Sequence, residues 1–152
     1  MNPNLSRAAN SSSTAVTPPA KAESGPPLKF AIQEHVDGSH HYELELEHEG
    51  VLKTWLLPRG LPPGPSIRRL AIQVADRPLA EANPVSPQPL KADASGITMY
   101  WDNGTYKPRA WTERSIVFTI HGGRRDGTYA LVKYDRAGPA AWLVFHTGKA
   151  PR

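Results

Sequence analysis

The stretch His41-Tyr42-Glu43-Leu44-Glu45-Leu46-Glu47 constrains the fold more than any other part of the chain. Successive side chains of a pleated strand leave opposite faces, so Tyr42, Leu44 and Leu46 share one face and His41, Glu43, Glu45 and Glu47 share the other. Period-two alternation of this kind specifies a β-strand with one apolar side. A polar strand face is commonly the wet side of an antiparallel sheet. Here, though, acidic residues occupy a structure they usually avoid. Like charges in line on one face also repel unless a cation sits among them. A metal ion or an arginine would resolve that repulsion. One imidazole, His41, and two carboxylates, Glu43 and Glu45, at alternate positions on one face have the geometry of half a metal site, and a second imidazole, His35, lies one short turn upstream.

Further short β-like runs surround this one. They are Lys29–His35, Val51–Leu57, Leu70–Val74, Ile97–Trp101, Ser115–His121, Tyr129–Tyr134 and Ala141–His146. Turn residues separate them: His48-Glu49-Gly50, Asp102-Asn103-Gly104, Gly122 to Gly127, and Arg136 to Pro139. Asp-Asn-Gly tolerates positive φ and predicts a hairpin at 102–104. No helical period of useful length appears, although Leu79–Ala82 has room for a single turn. About eight strands joined by tight turns predict an all-β, antiparallel barrel or sandwich. Pro58–Pro65 and Pro78–Pro89 are proline-rich and read as loops or edges, because proline cannot donate to a strand ladder.

The chain of 152 residues divides into a tail, 1–27, and one domain, 28–152. The tail is Ser-, Ala-, Asn- and Pro-rich, with Arg7, Lys21 and Glu23 as its charges, and it is expected to be disordered. It lacks the apolar core of a secretory signal, and no segment approaches the roughly 20 apolar residues of a membrane span. Cysteine is absent, which excludes disulfides and thiolate metal sites and favours a cytoplasmic setting. A metal would then be held by imidazole and carboxylate, a donor set suited to Mn, Zn, Fe or Ni. Net charge is +4, but its distribution says more. Acids crowd 34–49, whereas Arg109, Arg114, Arg124, Arg125, Lys133 and Arg136 crowd 109–136. An acidic pocket inside a basic surface fits a metal-dependent site for polyanions; solvated loop charge is the plainer alternative.

The remaining histidines and tryptophans have plainer readings beside functional ones. His40 falls on the Tyr42 face and reads as a packed or rim histidine, and His48 as a solvent-exposed turn residue. His121 and His146 end strands. Trp55, Trp101 and Trp142 read as core. Trp111, placed in a loop after Tyr106, is a candidate for stacking on a base or for plugging a barrel end. A cupin-like grouping of the histidines fails on spacing.

Four blocks together resemble the 3′-phosphoesterase domain of bacterial DNA ligase D. They are Phe30 to His35 with His41 to Glu47, Gly50 to Trp55 through Pro58-Arg59-Gly60, Arg69 to Leu79, and Trp101 to Tyr106. Trp142 to His146 is similar to that family's last strand. The resemblance implies a compact β-barrel that uses a divalent metal, typically Mn2+, to trim 3′-phosphate and 3′-terminal ribonucleotides from DNA ends in non-homologous end joining. It assigns metal ligation to His35, His41 and Glu43. Expected partners are DNA 3′ ends and a DNA ligase or end-bridging repair protein, in the bacterial cytoplasm at the nucleoid.

The same resemblance marks departures. Glu43 stands where the family has aspartate, Glu45 where it has a phosphate-binding arginine, Arg77 where it has a histidine, and Glu81 where it has a tyrosine. The loop before the Trp-Asp-x-Gly block is replaced by 83–95. Arg77 and Glu45 are therefore the candidate catalytic pair. Either Arg77 takes over the phosphate contact, since its guanidinium fork suits phosphate oxygens, or it forms an ion pair with Glu45 that leaves no free phosphate clamp. The first outcome predicts a stand-alone 3′-phosphoesterase. The second predicts a catalytically degenerate relative that binds DNA ends or a ligase without cleaving. An enzyme acting on a different phosphoester is a third possibility.

Overall fold

The computed structural model describes residues 26–82, 91–93 and 96–148. Its strands are β1 (Leu28–Val36), β2 (His40–His48), β3 (Val51–Leu57), β4 (Arg68–Pro78), β5 (Lys91–Asp93), β6 (Gly96–Trp111), β7 (Ser115–Gly122), β8 (Asp126–Lys133) and β9 (Ala141–His146). All pairings are antiparallel. Strands β1 to β4 run in chain order, β4 pairs with β9, and β9, β8, β7 and β6 follow. Pairing of β6 back onto β1 closes the ring, and β5 adds to the start of β6 outside it. The fold is thus the expected barrel and not a sandwich. Among the described residues no helix is long and apolar enough to cross a membrane.

Alternation selects the interior. Phe30, Ile32, Leu44, Leu46, Trp55, Leu57, Phe118, Ile120, Leu131 and Val144 are buried in one core, along with Tyr106 and Tyr129. Trp55 meets Trp142 edge-on. Removing such side chains from water contributes roughly 1.5–3 kcal/mol each. Tyr106 reaches out of that core to donate from its hydroxyl to the Glu47 carbonyl, and burial pushes its phenol pKa upward.

Most elements fall where the alternation places them, and the turns at 49–50, 123–125 and 136–140 lie between paired strands. Glu49 and Gly50 both take positive φ, as a two-residue hairpin turn requires. Leu79–Ala82 makes the single turn for which the sequence has room, as a 3-10 helix. Other expectations need correction. Asp102-Asn103-Gly104 is no hairpin but lies within the long strand β6. Asp102 uses its side chain to organise a distant turn, described below. Trp111 belongs to β6, not to a loop, and stacks at 3.8 Å on His48. His48 is therefore half-buried instead of exposed. Strand β5 had no clear signal in the sequence. The tail reading falls largely on 1–25, and the proline-rich 83–90 segment likewise lies outside the described residues.

Candidate functional site

The polar face of β2 lies outside the barrel wall, opposite the core-facing Leu44 and Leu46, yet it is not a wet face. Glu45 is 0% exposed and Gln33 5%. The pairing explains this. Ala31 sits opposite Glu45, and Gln33 opposite Glu43, on β1. Leu52 of β3 faces Arg77 of β4. Leu79 from the 3-10 turn and Tyr100 from β6 pack over Ala31 and Leu52, so a second, small apolar layer covers this part of the outer surface.

Register brings the candidate ligands together. His35 is directly opposite His41, and their rings stack with centroids 4.9 Å apart. His35 Nε2 lies 3.6 Å from Glu43 Oε1. On its other side, His35 Nδ1 hydrogen-bonds at 2.9 Å with the Thr98 hydroxyl, whose residue pairs with His35 across β1 and β6. If Nδ1 carries the proton and Thr98 accepts, Nε2 is left as a lone pair aimed at Glu43, the tautomer a metal requires. His35 Nε2 is buried without a hydrogen-bond partner, which is the environment of a ligand awaiting an acceptor or cation.

The cation beside the carboxylates is Arg77. Its Nη1 lies 2.9 Å from Glu43 Oε1 and 3.9 Å from Glu45 Oε2. The Glu43 contact is ionic and not an aligned hydrogen bond, since Oε1 has no partner of hydrogen-bond geometry. Glu45 Oε2 also accepts from Gln33 Nε2 at 3.2 Å. Arg77 thus does meet Glu45, as one of the two sequence-based outcomes required, but it sits closer to Glu43. Its guanidinium occupies the side of Glu43 on which a metal would compete. The donor chemistry of two imidazoles and a carboxylate fits a divalent ion. The arrangement as it stands does not complete a coordination shell: no cluster of three or more such donors disposed for one ion occurs among the described residues.

The apolar face of β2 leads to a different place. Tyr42, between His41 and Glu43 in sequence, points to the barrel mouth and meets Trp101 edge-on at 5.9 Å. Trp101 gets there through a bulge: Ile32 pairs with Asp102 but Gln33 with Tyr100, and bulges re-aim side chains in this way. Next to it, the buried Asp102 carboxylate accepts backbone N–H bonds from Asn103, Gly123, Arg124 and Arg125, all between 2.8 and 3.1 Å. A Cβ on Gly122 would collide with that carboxylate, so glycine is required there. Sequence reading missed this mouth because the Asp-Asn-Gly signal of a turn also suits a carboxylate that caps someone else's turn. His40, also on this face, is exposed and pairs with Glu34 at the rim.

Residues 33–133 match the family model described as the DNA Ligase D 3'-phosphoesterase domain. The chain belongs to the DNA ligase D 3′-phosphoesterase family. It is 36% identical over 131 residues to the multifunctional non-homologous end joining protein LigD of Mycobacterium bovis, covering 84% of this chain and 17% of that protein. Against the Pseudomonas aeruginosa LigD protein, identity is 31% over 123 residues, covering 77% of this chain and 15% of that protein. The Mycolicibacterium smegmatis LigD protein is 32% identical over 116 residues, 69% of this chain. The chain therefore corresponds to a small part of these relatives. The family match spans β1 to β8 and includes every candidate site residue: His35, His41, Glu43, Glu45 and Arg77.

Proposed function

We propose that the chain acts at DNA 3′ ends in bacterial double-strand break repair, removing a 3′-phosphate or 3′-terminal ribonucleotide with a divalent metal ion, Mn2+ in the first instance. The observation that carries this reading is the buried approach of His35 Nε2 and Glu43 Oε1, 3.6 Å apart, with the His41 ring stacked alongside. These residues would hold the ion, which when bound supplies Lewis-acid polarisation of a phosphoryl oxygen and an activated water. Thr98 orients the His35 ring through its hydrogen bond with Nδ1. Glu45, held by Gln33, anchors the Arg77 side of the site. Arg77, once displaced from Glu43, would turn its guanidinium to phosphate oxygens, whose two-pronged geometry suits it. The relatives' non-homologous end joining names support a setting at DNA ends.

A second reading is favoured by one specific contact, Arg77 at 2.9 Å from Glu43. If that ion pair holds against a metal, the chain binds DNA ends or a ligase partner without cleaving. A labelled primer–template with a 3′-phosphate, and a twin with one 3′-ribonucleotide, separates the two when incubated with protein and Mn2+. Trimming by the parent and not by His41→Ala supports the phosphoesterase. No trimming by folded parent protein sinks it and leaves the binding role.

A further inference from the structure

The barrel mouth holds a concavity of about 250 Å³ whose lining includes Tyr42, Arg59, Arg69, Trp101 and Arg125. Arg124 overhangs it, with its guanidinium 4.7 Å from the Trp101 ring centre; that of Arg125 lies at 5.3 Å. What distinguishes these arginines is how they are held. Arg69 donates to the Arg59 and Leu61 carbonyls, Arg125 to the Pro62 carbonyl and the Tyr129 hydroxyl, and Arg124 to the Trp101 carbonyl. No ion pair joins any of the four to a carboxylate among the described residues. Neutral carbonyls orient a guanidinium without cancelling its charge. Two carboxylates lie in this region: Asp102 is spent on backbone N–H groups, and Glu34, opposite Tyr42 in the β1–β2 register, is paired with His40 at the rim.

We propose that this mouth pocket is a second, metal-independent binding site that takes one nucleotide unit of an unpaired DNA strand. Uncompensated guanidinium groups in a concavity attract phosphate, and the Tyr42, Trp101 and guanidinium planes offer a surface for a nucleobase. The volume lies just under the roughly 300–1,000 Å³ of drug-sized pockets, enough for a base with its phosphate and too small for a duplex. Gly60, at φ +81, lies against the Tyr42 ring, where a Cβ would approach to 3.1 Å, so the floor is kept open by glycine. Because His41, Tyr42 and Glu43 are consecutive, a strand seated here lies one residue away, across the wall of β2, from the candidate metal centre. The choice of DNA rests on the proposed function; the anion-and-base chemistry does not.

The test is fluorescence anisotropy of a short labelled oligothymidylate in EDTA, with parent protein, Arg59→Glu, and Arg114→Glu as a charge-matched control on an exposed residue paired to Asp135. The expected result is salt-sensitive binding by the parent, weakened about tenfold or more in Arg59→Glu and unchanged in Arg114→Glu. Photocrosslinking with a 5-iododeoxyuridine oligonucleotide should then place adducts on Tyr42 or Trp101. Absence of binding in EDTA, equal weakening by both charge reversals, or adducts confined to other residues would overturn the proposal. Trimming with Mn2+ but no Arg59-dependent binding would leave the phosphoesterase and remove this pocket. Arg59-dependent binding without trimming would do the reverse.

Discussion

Two regions share strand β2 and handle arginine in opposite ways. On the outer face, Arg77 is set among the carboxylates of Glu43 and Glu45. At the mouth, Arg69, Arg124 and Arg125 are set among carbonyl oxygens. The first arrangement sets two carboxylates against one guanidinium, so the cation's charge is cancelled from within and turned inward, where Glu45 is fully buried. The second keeps its charge for whatever arrives from solvent. An arginine count would score the regions alike. The partner of each guanidinium decides whether it stabilises the protein or recruits a ligand.

The largest effect expected from this contrast follows from Arg77→Ala. Removing one partner of a buried pair leaves an uncompensated charge, with a cost of about 3–5 kcal/mol. Denaturant titration should show that loss, and Glu45→Gln in the same background should recover much of it. A loss under about 1 kcal/mol would mean that Arg77 is not the cation that makes the outer face tolerable. Next in size is Asp102→Ala, which strips one acceptor from several backbone N–H groups. Hydrogen bonds to a charged group contribute roughly 1.5–3 kcal/mol, so a stability loss of that order is expected, together with weaker oligonucleotide binding as Arg124 and Arg125 lose their turn. Stability loss with binding intact would separate the turn from the pocket.

Salt should sharpen the same comparison. Raising it from roughly 50 to 200 mM weakens contacts to phosphate steeply but screens buried pairs far less. Oligonucleotide affinity should therefore fall several-fold, while the denaturation midpoint moves little. Comparable shifts in both would show the outer-face charges to be solvent-accessible after all. The smallest effect belongs to His48, whose pKa burial holds below 6.5, against a partial rise from Glu49. The folded protein then binds fewer protons at this site than the unfolded chain does. The stability it contributes is present above pH 6.5 and lost as the pH falls through the lower folded value. Denaturation midpoints measured from neutral to mildly acidic pH should decline in the parent and less so in His48→Gln.

The strands were legible because alternation reports burial directly, and the His35, His41 and Glu43 grouping was legible because all three follow from the hairpin of β1 and β2. Arg77 was visible only as a departure from a family pattern. Its approach to Glu43 depends on β3 bridging β2 and β4, with a register shift between Leu52 and Thr54. No local signal encodes that shift. Asp102 misled because one short motif serves either its own turn or a distant one. The mouth pocket was not legible as a unit, since its arginines come from the loop after β3, the start of β4 and the 123–125 turn, which meet only through barrel closure.

The alternation of β2 also limits how a lineage can alter this protein. Substitutions reach the outer centre and the mouth separately, at odd- and even-numbered positions. A single-residue insertion or deletion between His41 and Glu47 would exchange the two faces beyond it, turning carboxylates into the core and leucines out. The two sites can drift apart in chemistry, but length changes within this strand are closed to both.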